Sequence, residues 1–87
     1  MGRRRIQVRG RKLGRHKAHG MVHNFDSDNP LIELDPSLNL KPKDRMTILL
    51  HELLHCAFPT MTERRIIANS KLIAGAMWAD NYRRIDQ

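Results

Sequence analysis

The segment His51-Glu52-Leu53-Leu54-His55 constrains the fold of this chain more than any other stretch of the sequence. An α-helix has about 3.6 residues per turn, so residues four positions apart lie on one face. Two histidines at that spacing can hold one metal ion, and the glutamate beside the first can act as a general base toward a metal-bound water. The alternative is an ordinary helix surface with two unliganded histidines and a solvated acid.

The residues around this motif predict two helices. Pro42 suits a first helical turn and Asp44 lies where the helix dipole favours an acid, whereas Pro59 disfavours helix at the residue before it. We therefore expect an active-site helix over residues 42–57 and a C-terminal helix over residues 61–83. The second helix carries an apolar stripe that we expect to be buried: Ile66, Ile67, Ser70, Ile73, Ala74, Met77 and Trp78.

Three short segments before the helices predict strands, over residues 5–9, 20–25 and 31–35. The order predicts a single α+β domain with a short antiparallel or mixed sheet of about three strands followed by two helices. Residues 1–19 are expected to form a basic arm with the first strand, and residues 20–87 the core. We expect the strand over residues 31–35 to lie at a sheet edge, where an extended peptide can pair with it.

A catalytic zinc ion usually has three protein ligands, so the two histidines need a partner. Glu63 follows His55 by eight residues, just beyond the turn at Pro59. An antiparallel second helix would return its first turn to the end of the first helix. Alternatively, Glu63 closes a capping box with Thr60 and serves only its own helix. The other candidate ligands are three histidines of the N-terminal region: His16, His19 and His23.

The net charge of +7 is concentrated in residues 1–25, which carry eight basic side chains and no acid. The other 62 residues carry eight basic and nine acidic side chains, so they are close to neutral. This asymmetry predicts a contact with nucleic acid or another polyanion. The basic side chains concerned are Arg3, Arg4, Arg5, Arg9, Arg11, Lys12, Arg15 and Lys17.

The sequence also favours a cytoplasmic location. Cys56 is the single cysteine, so no internal disulfide can form, which fits a reducing compartment. No apolar run reaches the roughly 20 residues of a membrane span.

From about residue 31 to residue 84 the chain resembles the small SprT-like, or minimal zincin, metallopeptidases of phages and bacteria. The resemblance rests on Ile32-Glu33-Leu34-Asp35-Pro36, on the helix with the two histidines, on the turn Phe58-Pro59-Thr60-Met61-Thr62-Glu63, and on the closing Trp78 and Tyr82-Arg83-Arg84. It implies a zincin-like fold, Zn²⁺ as the cofactor, Glu63 as the third ligand and, for a phage-encoded protein, the host cytoplasm.

Together these features predict a zinc-dependent metallopeptidase in which Glu52 assists a zinc-bound water in hydrolysing peptide bonds. His23 and Tyr82 are the candidates for a second donor to the oxyanion, although Tyr82 also fits a packing role. The alternative function is that of a small basic nucleic-acid-binding protein that keeps the fold and a structural metal. A zinc hydrolase acting on RNA ranks third.

Overall fold

The structure is a computed structural model that describes residues 4–14 and 18–85. Three strands precede two helices, which confirms the predicted α+β domain. The elements are β1 (Gln7–Gly10), β2 (Gly20–His23), β3 (Leu31–Leu34), α1 (Pro42–Ala57) and α2 (Glu63–Ala79), with a 3-10 helix over Pro36–Leu40 between β3 and α1. Within the described ranges, no helix is long and apolar enough to cross a membrane.

The sheet is mixed, with the strand order β1-β3-β2. β1 runs parallel to β3 and β2 runs antiparallel to it, with Val8 and Val22 both opposite Ile32. The expectation that residues 31–35 form an edge strand is therefore wrong, because β3 is paired on both sides. Its sequence, Leu-Ile-Glu-Leu, has apolar residues facing both sides of the sheet, which is typical of a covered central strand rather than of an edge.

The two faces of the sheet differ in character. On the inner face, Ile32 and Leu34 form a buried cluster with Leu38 and with Cys56 of α1. Glu33 alternates with them and lies on the outer face, where its fully buried carboxylate pairs with arginines of the N-terminal segment. Helix α1 therefore covers the inner face of β2 and β3, and charged side chains occupy the outer face.

Helix α1 has the predicted bounds. It begins at Pro42 and ends at Ala57, where the N–H of Phe58 donates a hydrogen bond to the carbonyl of Leu54. Pro59 cannot continue this pattern because it has no N–H, so the chain turns before α2.

Helix α2 is shorter than predicted, ending at Ala79 instead of residue 83. Asp80 forms the C-cap, and Asn81 has a φ of 63°, in the left-handed region that terminates helices. The predicted stripe is also only partly buried. Ile66, Ser70 and Ala74 are buried, whereas Ile67 and Ile73 are 41% and 36% exposed, so the face that packs on α1 is narrower than expected.

The two helices are antiparallel. The first residue of α2, Glu63, lies beside the histidines near the end of α1, and Trp78 near its end shares a groove with Met46 near the start of α1. This arrangement places the start of α2 beside the segment His51-Glu52-Leu53-Leu54-His55.

Candidate metal centre

Three side chains converge where α1 ends and α2 begins. The Nε2 atoms of His51 and His55 are 3.2 Å apart, and the carboxylate of Glu63 reaches them at 2.5 Å and 3.0 Å, respectively. One donor atom from each residue lies within 4.8 Å of the other two. Among the residues that the structure describes, this is the group of histidine, cysteine and carboxylate side chains close enough to hold a metal ion.

Two of the three separations in this cluster fit a zinc ion. Tetrahedral zinc with bonds of about 2.0–2.1 Å separates its ligand atoms by roughly 3.3 Å, close to the separations of His55 from His51 and from Glu63. The third, 2.5 Å between His51 and Glu63, is that of a hydrogen bond and would have to lengthen for both residues to bind the ion. With neutral imidazoles, the three facing atoms can all be electron-pair donors. A cation between them would remove their mutual repulsion, and two imidazoles with one carboxylate are a ligand set that zinc accepts.

The start of α2 explains why Glu63 faces the histidines. Thr62 is the N-cap, and its hydroxyl accepts a hydrogen bond from the N–H of Arg65 at 3.3 Å. Because Thr62 caps the helix, Glu63 is the first helical residue and its carboxylate is not needed as a cap. The alternative in which Glu63 closes a capping box with Thr60 is therefore wrong.

Glu52 lies beside this cluster and is buried, with 8% of its surface exposed. Its carboxylate is 3.9 Å from Nδ1 of His51, and none of the described residues donates a hydrogen bond to it. Burial raises the pKa of Glu52; positive charge on His51 and His55 opposes that shift, and the charge of Glu63 adds to it. The carboxylate is therefore placed to accept a proton from a molecule that enters the site.

Strand β2 passes very close to Glu52, at Gly20. A Cβ on Gly20 would lie 3.6 Å from Cγ of Glu52 and 2.7 Å from Cγ2 of Ile48. Glycine is thus required here by the close approach of the backbone to α1. In the sequence, Gly20 is only the first residue of the predicted strand over residues 20–25, and nothing there indicates this contact.

An aromatic ring and an arginine of the N-terminal segment complete the surroundings. Phe25 packs edge-on against the His55 ring with a centroid distance of 6.4 Å. Arg4 donates hydrogen bonds to the carbonyls of Phe25, Ser27 and Cys56. It therefore ties the loop that carries Phe25 to the end of α1. The sequence offers no signal for this role, since Arg4 looks like one of several basic residues in a tail.

The remaining candidate residues lie elsewhere. His19 and His23 are outside the metal-binding group, and His16 lies outside the described residues, as do Arg3, Arg15 and Lys17. His23 is turned to the outer sheet face, where its Nε2 is 2.6 Å from Glu33. Tyr82 follows the far end of α2, roughly 25 Å from Glu63 at about 1.5 Å per helical residue. Neither candidate for the second oxyanion donor is near the cluster.

An apolar groove of about 270 Å³ also lies between the helices, lined by Met46, Leu49, Leu53, Met77 and Trp78 among others. It contains none of the three metal-ligand candidates and opens toward the other end of α1. The groove is therefore separate from the histidine cluster.

Comparisons of this chain with models of protein families, with curated proteins and with solved structures found no match.

Proposed function

We propose that this protein is a zinc-dependent metallopeptidase in which His51, His55 and Glu63 hold the ion and Glu52 is the general base. The observation that carries this proposal is the convergence of three ligand atoms beside the largely buried side chain of Glu52, whose carboxylate still reaches solvent. A metal site that serves only stability would not need such a carboxylate next to it.

The residues of the chain divide the chemistry between them. When bound, a zinc ion supplies Lewis acidity, which polarises a carbonyl group and makes a water molecule more acidic. Glu52 would take the proton of the attacking water at its carboxylate and pass it to the leaving amine.

Strand β2 is the element best placed to hold an extended substrate. The N–H of Asp35 donates to the carbonyl of His19, so His19 belongs to a hydrogen-bonded pair of the antiparallel ladder. Because such pairs alternate, the backbone groups of Gly20 and Val22 point away from β3, toward an edge with no partner among the described residues. A peptide paired at this edge would pass Glu52. β2 is therefore the strand that would pair with an extended peptide, whereas the sequence predicts that role for β3.

The test is cleavage of fluorescein-labelled casein by the zinc-loaded protein and by a Glu52→Gln variant. We expect the variant to keep its zinc and to lose about 10²–10⁴-fold in rate, the usual contribution of a general base. Asp44→Asn, which changes an exposed acid of the same helix, should cleave like the parent. Equal rates for the parent and Glu52→Gln, or no cleavage by the zinc-loaded parent across a panel of unfolded proteins, would refute the proposal.

The second candidate function is that of a nucleic-acid-binding protein with a structural metal. The basic side chains on the outer sheet face favour it. In that case Glu52 has no chemical role: the zinc-loaded parent should cleave no casein, so Glu52→Gln has no cleavage to lose. The two candidates therefore differ in the outcome of the same substitution.

A further inference from the structure

The N-terminal segment places its basic side chains on one face of the sheet. Ile6 packs against the inner-face cluster, so the odd-numbered residues around β1 face outward, because side chains alternate along a strand. Arg9 and Arg11 follow this rule, and both reach Glu33 on the outer face. Arg5 is also odd-numbered, so its side chain faces the same side as those of Arg9 and Arg11. The result is a row of three arginines, with Gln7 between Arg5 and Arg9.

Glu33 holds two of these arginines in fixed positions without hiding them. Its carboxylate is fully buried and accepts from Arg9 at 3.0 Å and from Arg11 at 3.3 Å, while the two arginine side chains remain 60% and 56% exposed. One negative charge faces two positive ones, and His23 also contacts this carboxylate. Each guanidinium has five N–H groups, so donors remain that point to solvent.

The chemistry of this face fits phosphate groups. Guanidinium groups bind phosphate through paired hydrogen bonds, and holding them in place reduces the entropy lost on binding. The exposed aromatic residues of the described chain lie elsewhere: Phe25 packs on His55, Phe58 caps α1 and Tyr82 lines the helix groove. A face without exposed phenylalanine, tyrosine or tryptophan rings offers little for base stacking or for insertion into a lipid surface.

We propose that the outer face of the sheet, centred on Arg5, Arg9 and Arg11, binds the phosphate backbone of nucleic acid without reading its sequence. This surface does not use the metal cluster, because α1 packs on the inner face of the sheet. Nucleic-acid binding should therefore occur with or without metal, and it stands independently of the proposed peptidase activity.

The test is fluorescence anisotropy of a labelled single-stranded DNA, and of a duplex of the same sequence, over a series of salt concentrations. We expect binding that weakens steeply with salt, as counterion release requires. Arg5→Gln should weaken binding several-fold and reduce the salt slope by about one. Because Arg5 has no contact with Glu33, this variant keeps the Glu33 cluster and should fold like the parent.

Matched variants distinguish nucleic-acid binding by this surface from binding by the overall positive charge of the protein. Lys43→Gln and Lys71→Gln each remove one charge from an exposed position on a helix and should leave the salt slope unchanged. Arg9→Gln should behave like Arg5→Gln if its circular dichroism matches that of the parent. Chelation of the metal should not alter binding.

Three results would overturn the proposal. The first is no binding at low salt, and the second is an equal loss in the lysine variants, which would indicate bulk charge alone. The third is equally tight, Arg5-dependent binding to vesicles rich in phosphatidylserine, which would assign the surface to membranes instead.

Discussion

Arg4 and Cys56 are 52 residues apart in sequence, yet the guanidinium of Arg4 donates a hydrogen bond to the Cys56 carbonyl. That carbonyl belongs to the last turn of α1, where carbonyl groups lack partners within the helix. The positive charge also lies at the negative end of the helix dipole. An arginine from the basic segment thus stabilises the helix end that carries His55, the residue before Cys56.

We therefore expect Arg4→Met to destabilise the protein, by about 1–3 kcal/mol, because three carbonyl groups lose a charged donor. Urea denaturation of the metal-free protein measures this change. Arg5→Met is the matched control, since Arg5 has no side-chain partner in the described part of the chain, and it should change stability little. Equal stability of the two variants would show that Arg4 contributes no more than an exposed arginine.

The close approach of β2 to α1 predicts a large effect for a single methyl group. In Gly20→Ala the new Cβ would be 2.7 Å from Cγ2 of Ile48, a branched side chain with little freedom to move away. We expect a loss of about 1–3 kcal/mol and a lower peptidase rate, because β2 must shift from Glu52. Thermal unfolding and casein cleavage measure the two effects.

Gly14→Ala is the control for that substitution. A Cβ on Gly14 meets nothing within 4 Å, and none of the glycines in the described chain has a positive φ. It should change stability by less than about 0.5 kcal/mol. If Gly20→Ala were as stable and as active as Gly14→Ala, the packing of β2 on α1 would be looser than the distances indicate.

The lowered pKa of Glu33 predicts that the protein loses stability in acid. The hydrogen bond with His23, the hydrogen bond from Arg9 and the charges of Arg11 and Arg9 outweigh burial, and together they lower the pKa of Glu33 from 4.5 to about 2. A group with a lowered pKa in the folded state stabilises the protein above its unfolded pKa. This contribution is lost as the pH falls from about 5 to about 2.

Glu33→Gln should therefore show a weaker dependence of unfolding temperature on pH across that range than the parent does. Thermal melts of both metal-free proteins, followed by circular dichroism, provide the comparison. Asp26→Asn removes an exposed acid from the loop between β2 and β3 instead, and its pH dependence should follow that of the parent. Parallel curves for the parent and Glu33→Gln would contradict the proposed role of this carboxylate.

Local signals in the sequence are sufficient for helix α1 and for the two histidines of the candidate metal site. Pro42 and Pro59 bracket α1, and the spacing of His51 and His55 fixes one helix face. Glu63 is harder to predict, because its position depends on how α2 returns; its spacing alone leaves both a ligand and a capping role open, and the resemblance is what favours the ligand. The early end of α2 also had a local signal in Asn81, since asparagine readily adopts left-handed φ.

Features that depend on strand order could not be predicted in the same way. Pairing of β1 with β3 joins residues more than twenty positions apart, and nothing local selects it over pairing with β2. The central position of β3 decides that Glu33 is buried, although an acid in an alternating strand usually faces water. The contacts of Gly20 with Glu52 and of Arg4 with Cys56 depend on that same packing.

Zinc content tests the central claim most directly, on protein loaded with zinc and then freed of unbound metal. We expect about one zinc per chain for the parent and for Glu52→Gln, and little for Glu63→Ala. Asp80→Ala, which removes an acid beyond the other end of α2, should match the parent. Full zinc content in Glu63→Ala would place the third ligand elsewhere, and a parent that binds no zinc would contradict the proposed metal centre itself.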